Sequence, residues 1–96
     1  MLQINYNQGR YELEGNLALE NSRSLLSYFE TLLQYDSKII LNINKLKNID
    51  SSGADVLVEL YKKASQNNKV FKIFGKANDK VSKIIKTSKL KDIIVS

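Results

Sequence analysis

The chain has 96 residues, of which 43% are apolar and 26% are charged, so it has room for one small core and not for two. It contains no Cys and no His, which excludes disulfides, thiolate metal sites and the commonest general base. The net charge of +5 arises in residues 51–96, which carry ten Lys and four acidic residues. No apolar run approaches the roughly 20 residues that span a bilayer, and no secretory signal is recognisable, so we expect a cytoplasmic protein without direct membrane insertion.

The first half of the chain predicts a hairpin, a helix and a buried strand. Apolar and polar residues alternate over residues 2–6, and after the turn residues 7–9 a second alternating run is closed by Gly15. A dense apolar run at residues 38–43 predicts a central strand that is covered on both faces. Between these strands, from about residue 22, one helical stripe is formed by Leu25, Leu26, Phe29, Leu32 and Leu33.

The second half predicts two further helices and two strands. A buried strand is expected at residues 70–74 and a short final strand at residues 93–95, and Asn78 is a suitable N-cap for a third helix. The second helix, over residues 52–67, has a stripe formed by Val56, Leu57, Leu60, Tyr61 and Ala64. The resulting order, ββαβαβαβ, predicts an α/β fold in which helices pack on a mixed sheet.

The most informative residues join the third strand to the second helix. Ser51 and Ser52 lie at the predicted helix start, where free backbone N–H groups and the helix dipole favour an anion such as a phosphate. Gly53 permits a tight turn or the close approach of another molecule. A simpler interpretation also fits these residues, in which Asp50 or Ser51 only caps the helix.

The same segment carries a family resemblance. A buried strand, then Ile49-Asp50-Ser51-Ser52-Gly53, then an amphipathic helix, a strand and Gly75 together resemble the STAS domain, the fold of anti-sigma factor antagonists and of the cytosolic tails of sulfate transporters. The resemblance extends over residues 1–96 as a single domain. It implies a regulatory or assembly module with no cofactor and no enzymatic activity. In the antagonists the Ser that directly follows the Asp, here Ser51, is phosphorylated by a partner kinase.

Two branches of this family imply different partners. An anti-sigma factor antagonist binds an anti-sigma factor serine kinase until its own serine is phosphorylated. The small STAS subunit of an Mla-type phospholipid ABC transporter instead binds the ATPase subunit, and a hydroxyl residue at the position of Ser51 matters for its function. The absence of a helix after residues 93–95 and the pattern of residues 67–81 favour the transporter branch. An ABC transporter ATPase is therefore the expected partner, with location at the inner membrane through that partner, and the kinase is the alternative.

The resemblance implies a docking face at the start of the second helix. Ser51 and Ser52 are expected to hydrogen-bond the partner, next to Asp50, while Gly53 and Ala54 allow its close approach. Charged residues on the following turns are expected to tune the encounter rate from the rim, and these are Asp55, Glu59 and Lys62.

Other functions are less consistent with the residues. An enzyme built on Ser51 would need a base, but there is no His and no Lys at a suitable local spacing. Asp50 and Asp55 are poorly spaced for a metal ion. The Lys-rich second half would suit RNA or anionic lipid, but it lacks Arg and any RNA-binding aromatic motif, so we interpret it as solvated helix faces and expect no specific nucleic acid.

Overall fold

The computed structural model describes residues 1–95 and contains a four-stranded sheet with three helices. The sheet order is β1-β2-β3-β4; β1 and β2 are antiparallel, and the other two neighbouring pairs are parallel. This mixed sheet confirms the predicted α/β fold class. The strands and helices are β1 (Leu2–Asn7), β2 (Arg10–Leu17), α1 (Leu19–Tyr35), β3 (Lys38–Ile49), α2 (Ser51–Gln66), β4 (Val70–Phe74) and α3 (Asp79–Lys86), followed by a 3₁₀ turn (Lys89–Asp92).

Two strands are longer than their sequence pattern indicates. Strand β2 continues past Gly15, where the pairing with β3 shifts register. Gly15 has a φ of +106°, and a Cβ there would lie 2.2 Å from the carbonyl oxygen of Met1, so only glycine fits this position. Strand β3 runs to Ile49 and does not end near Ile43 as predicted. The buried residues of β3 are two positions apart up to Ile43 and three positions apart after it. An alternating pattern therefore does not reveal the second half of the strand.

The prediction of a final strand at residues 93–95 is wrong. This segment follows the 3₁₀ turn and makes one parallel bridge between Val95 and Phe74, with the Val95 N–H donating to the carbonyl oxygen of Ile73 at 2.9 Å. The buried side chain of Leu90 and the capping hydroxyl of Ser88 hold the preceding backbone in the turn. Among the described residues the sheet therefore has four strands, with β1 at one edge and β4 at the other.

The predicted helical stripes form the helical side of the core. Helix α1 begins at Leu19, before the predicted start, and four of its five stripe residues are buried while Leu32 is half-buried. Phe29 makes edge-to-face contacts with Tyr11 and Phe71, in both cases with ring centroids 5.4 Å apart. In α2 the stripe is buried except for Tyr61, which is 38% exposed and not a core residue as predicted. Helices α1 and α2 pack against each other, and α2 also contacts β4.

Candidate docking site at the start of helix α2

A single carboxylate holds the starts of two helices. The side chain of Asp50 caps α2, because its Oδ1 accepts a hydrogen bond from the N–H of Gly53 at 2.9 Å. Its Oδ2 accepts from the N–H of Leu19, the first residue of α1, at 3.0 Å. The Asp50 N–H donates to the carbonyl oxygen of Leu17 at 3.2 Å. Both carboxylate oxygens are thus engaged within the chain, and in our proposal Asp50 positions the site and does not itself meet a partner.

Ser51 is the first residue of α2, one position before the predicted start, and it is exposed. Ser52 follows and is half-buried. The capping carboxylate of Asp50 satisfies the N–H of Gly53, and the other N–H groups of the first turn remain oriented toward the N-terminal end of the helix. The Ser51 hydroxyl is therefore accessible from solvent in a region that favours negative charge.

Gly53 and Ala54 lie beneath the surface. Ala54 is fully buried, and a Cβ added to Gly53 would lie 2.5 Å from the carbonyl oxygen of Leu17 and 3.0 Å from a side-chain carbon of Ile49. The close approach that Gly53 permits is therefore between α2 and the ends of β2 and β3. Because both residues are buried, the docking face that we propose below does not include them, in contrast to the expectation from sequence.

Four of the residues predicted from sequence line one groove. Ser51, Asp55, Glu59 and Lys62 lie along one side of α2, and the groove between this side and the end of α3 has a volume of about 630 Å³. The remaining lining residues were not expected from the sequence, and they are Val58, Lys63, Gln66, Ile84, Thr87, Ser88 and Lys89. Val58 and the half-buried Ile84 supply apolar surface between the charged side chains. No pattern in the sequence marked Ile84 as a lining residue, because its partial exposure depends on where α3 packs.

The charges of the groove fall into two groups. Glu59 is held by Lys63 at 3.2 Å, as its i, i+4 spacing predicts, and lies 3.9 Å from Arg23. Lys63 also hydrogen-bonds Glu30 on α1, and this bond, together with the one to Glu59, raises the pKa of Lys63 above its ordinary value. Asp55, Lys62 and Lys89 are exposed and belong to none of the four ion pairs among residues 1–95. These three side chains are therefore available to a partner.

The described part of the chain has neither a metal centre nor a membrane span. No group of three acidic side chains in residues 1–95 is arranged to hold a metal ion. No helix within the same range has the length and apolar character needed to cross a bilayer. The lining of the groove supplies hydroxyl groups, several surface charges and two apolar side chains.

Several solved structures share this fold at low sequence identity. The anti-sigma factor antagonist SpoIIAA in its unphosphorylated form superimposes with a TM-score of 0.77 at 18% identity, covering 99% of this chain and 86% of SpoIIAA. The phosphorylated form of the Bacillus cell fate determinant SpoIIAA gives 0.69 at 15% identity, with coverage of 99% and 89%. An anti-sigma factor antagonist from Mycobacterium paratuberculosis gives 0.75 at 11% identity, with coverage of 98% and 81%. At identities this low, the structural similarity establishes a common fold and nothing beyond it.

No curated protein matches the sequence. A family match, however, covers the whole chain: residues 1–96 match the STAS domain. The fold, with its mixed sheet and a Ser at the start of α2, agrees with that match. The chain belongs to the STAS domain family.

Proposed function

We propose that the chain is a non-enzymatic interaction module that binds and regulates a partner ATPase through a docking face formed by Ser51, Asp55, Glu59 and Lys62. One observation carries this proposal: these four side chains line a single groove, and Ser51 is exposed at its helix-start end. Family membership supports a regulatory role, because the resemblance to STAS domains implies a module that binds other proteins. Binding would favour one conformation of the ATPase over another.

The composition of the groove fits a protein partner. The lining combines the apolar side chains of Val58 and Ile84 with polar and charged side chains, a mixture that is usual in a protein interface. On the docking face, Asp55 and Lys62 are available for new pairs, since Glu59 is already paired with Lys63, and Lys89 is available on the opposite side of the groove. We expect Asp55 and Lys62 to affect mainly the association rate and its salt dependence.

The first candidate partner is the ATPase subunit of an Mla-type phospholipid transporter. The sequence pattern of residues 67–81 favours this branch of the family. In this role the chain would reach the membrane only through its partner, and the Ser51 hydroxyl would act as a hydrogen-bonding group in the interface.

The second candidate partner is an anti-sigma factor serine kinase. In this case the chain is an anti-sigma factor antagonist, and the kinase switches it by phosphorylating Ser51. The exposed hydroxyl at the helix start favours this function, and the similar structures include SpoIIAA with and without phosphate. A phosphate carries a charge of about −1.5 to −2 and would lie one helical turn from Asp55. It would convert a mixed-charge docking face into a strongly acidic one, and a partner that fits the unmodified face would be released.

The proposal is tested by capturing each candidate ATPase with wild-type protein and with Ser51→Glu. We expect Ser51→Glu to reduce partner affinity by about tenfold or more, while the free energy of unfolding stays within about 1 kcal/mol of wild type. Ser65→Glu is the matched control, because Ser65 is also exposed on α2 but does not line the groove. Equal capture by wild type and Ser51→Glu would refute the docking face.

A kinase assay separates the two candidates. If the chain is a switched antagonist, incubation with the partner kinase and ATP adds one phosphate to the wild type and none to Ser51→Ala. If the chain is a transporter subunit, the ABC ATPase is captured and Ser51 remains unmodified in the complex. Mass spectrometry of the captured protein distinguishes these outcomes.

A further inference from the structure

Strand β1 leaves a row of backbone groups unpaired at the edge of the sheet. Within residues 1–95 it pairs only with β2, and hydrogen bonds in an antiparallel pair alternate between residues that face the partner strand and residues that face away. The N–H of Asn16 donates to the carbonyl oxygen of Met1 at 2.9 Å, so odd-numbered residues of this strand face β2. The N–H and C=O groups of Leu2, Ile4 and Tyr6 therefore point outward from the sheet.

This edge lacks the features that normally prevent pairing with another strand. Strand β1, with the sequence LQINYN, contains no charged residue and no proline. The opposite edge differs, because β4 carries the exposed Lys72 and is partly covered by Val95. The contrast indicates that the β1 edge is available for binding.

We propose that β1 pairs antiparallel with β1 of a second copy of the chain, about a two-fold axis that passes between the two Ile4 residues. In this register Leu2 of one copy lies opposite Tyr6 of the other. All three outward-facing residues of each strand then exchange backbone hydrogen bonds, six in total by the antiparallel pattern. A shift by two residues in either direction would lose one of the three pairs, so this register is the best for the backbone.

In this register the side chains of β1 in one copy are complementary to those of β1 in the other copy. On the face toward α1, Ile4 meets Ile4 and Leu2 meets Tyr6, which is 63% exposed in the single chain. On the other face, Gln3 meets Asn5, so amide lies beside amide. An acidic or basic strand from another protein would find no counter-charge on β1. The chemistry of the edge therefore selects a second copy.

A groove beside the strand adds apolar surface to the interface. It has a volume of about 410 Å³ and lies between β1 and the first half of α1, where Tyr28 is 45% exposed. Its lining contains no charged side chain and consists of Met1, Leu2, Ile4, Asn21, Ser24, Leu25 and Tyr28. Pairing of β1 would bring the second copy over this groove and cover apolar area that is now in contact with water.

The dimer would be weak and would leave the docking face free. Six residues of strand extend about 20 Å, so the interface is smaller than the standard of about 800 Å² per partner, and we expect a micromolar dissociation constant. The docking face lies on α2, which follows β3, and shares no residue with the β1 edge or its groove. A dimer would thus carry two docking faces, and this inference does not depend on the proposed function.

Sedimentation equilibrium over roughly 5 µM to 1 mM tests the proposal in the full chain. We expect wild type to dimerise and Tyr6→Lys to weaken dimerisation by about tenfold or more, because a lysine ammonium would be placed against Leu2 of the second copy. Tyr35→Lys makes the same change at an 81% exposed tyrosine at the end of α1, and it should dimerise like wild type. A wild-type chain that stays monomeric throughout, or equal weakening by both variants, would overturn the proposal.

Single cysteines test the register, because the chain contains no cysteine of its own. Across the two-fold axis the two residues at position 4 have Cα atoms about 5.5 Å apart, which a disulfide spans, whereas residues at position 3 lie on a diagonal of about 7–8 Å. Ile4→Cys should therefore form a disulfide dimer about tenfold faster than Gln3→Cys under a mild oxidant. Gln3 is the more exposed of the two, so random collision predicts the reverse order, and that result would exclude this register.

Discussion

Replacement of Gly53 by alanine tests how closely α2 approaches the sheet. Gly53 is in the first turn of the helix, and its Cα faces the end of β2. An alanine Cβ would lie 2.5 Å from the carbonyl oxygen of Leu17 and 2.8 Å from the Leu17 Cγ. The oxygen belongs to a backbone held in the sheet by β3, so it cannot move aside as the end of a flexible side chain would.

Two effects of opposite sign determine the change in stability. Helix propensity alone predicts that Gly53→Ala stabilises the protein by about 1 kcal/mol. Steric overlap in a packed interior costs about 1–3 kcal/mol, and a rigid backbone oxygen places this site at the upper end. We therefore expect a net loss of about 2 kcal/mol in the free energy of unfolding. For a domain of this size, this loss corresponds to a decrease in Tm of about 8–16 °C.

Urea unfolding and thermal melts measure this change directly. Ser52→Ala is the control, because it introduces the same residue one position earlier at a half-buried site, and its effect should stay within about 0.5 kcal/mol. A Gly53→Ala variant as stable as wild type, or more stable, would refute the steric reasoning and leave helix propensity as the dominant effect.

Further predictions concern the capping carboxylate and high pH. Asp50→Ala removes the acceptor for two helix starts and should cost about 2–3 kcal/mol in urea unfolding, whereas Asp50→Asn keeps one acceptor and should cost about half as much. Burial raises the pKa of Tyr11 above its ordinary value of 10.0, and hydrogen bonds to Glu30 and Glu59 raise the pKa of Lys63 above 10.5. Both groups bind their protons more tightly in the folded state, so their contribution is complete below the unfolded-state pKa values and is lost as pH rises through the folded-state values. Unfolding at about pH 8 and about pH 11 should show this decrease, and Tyr11→Phe should make it smaller; an unchanged pH dependence in that variant would contradict the role of Tyr11.

Features with a regular local pattern could be predicted from the sequence. The stripes of α1 and α2 repeat with helical spacing, and Asn78 caps α3 as expected, accepting from the N–H of Val81 at 2.8 Å. The irregular parts could not be predicted in this way. Bulges interrupt the alternation in β3. The conformation of the segment after α3 is set by the burial of Leu90 and not by the apolar character of residues 93–95.

In the candidate site, too, some features could be predicted from the sequence and others could not. Ser51, Asp55, Glu59 and Lys62 share one helical face because they are spaced by four, four and three residues, so their proximity is visible in the sequence. The opposite wall of the groove depends on where α3 packs, which is decided by contacts distant in sequence. The burial of Gly53 and Ala54 likewise depends on how near the helix lies to the ends of β2 and β3.

Because the carboxylate of Asp50 serves two helices, positions 50 and 51 should differ in how well they tolerate mutation. Only a short side chain with two acceptor oxygens reaches both the Gly53 and Leu19 N–H groups, so serine or threonine at position 50 would leave one of them without its present partner. Ser51 is exposed and carries no such constraint. In a library of variants selected for folding alone, position 50 should retain aspartate while position 51 varies freely, and a preference at position 51 should emerge only when binding is selected as well.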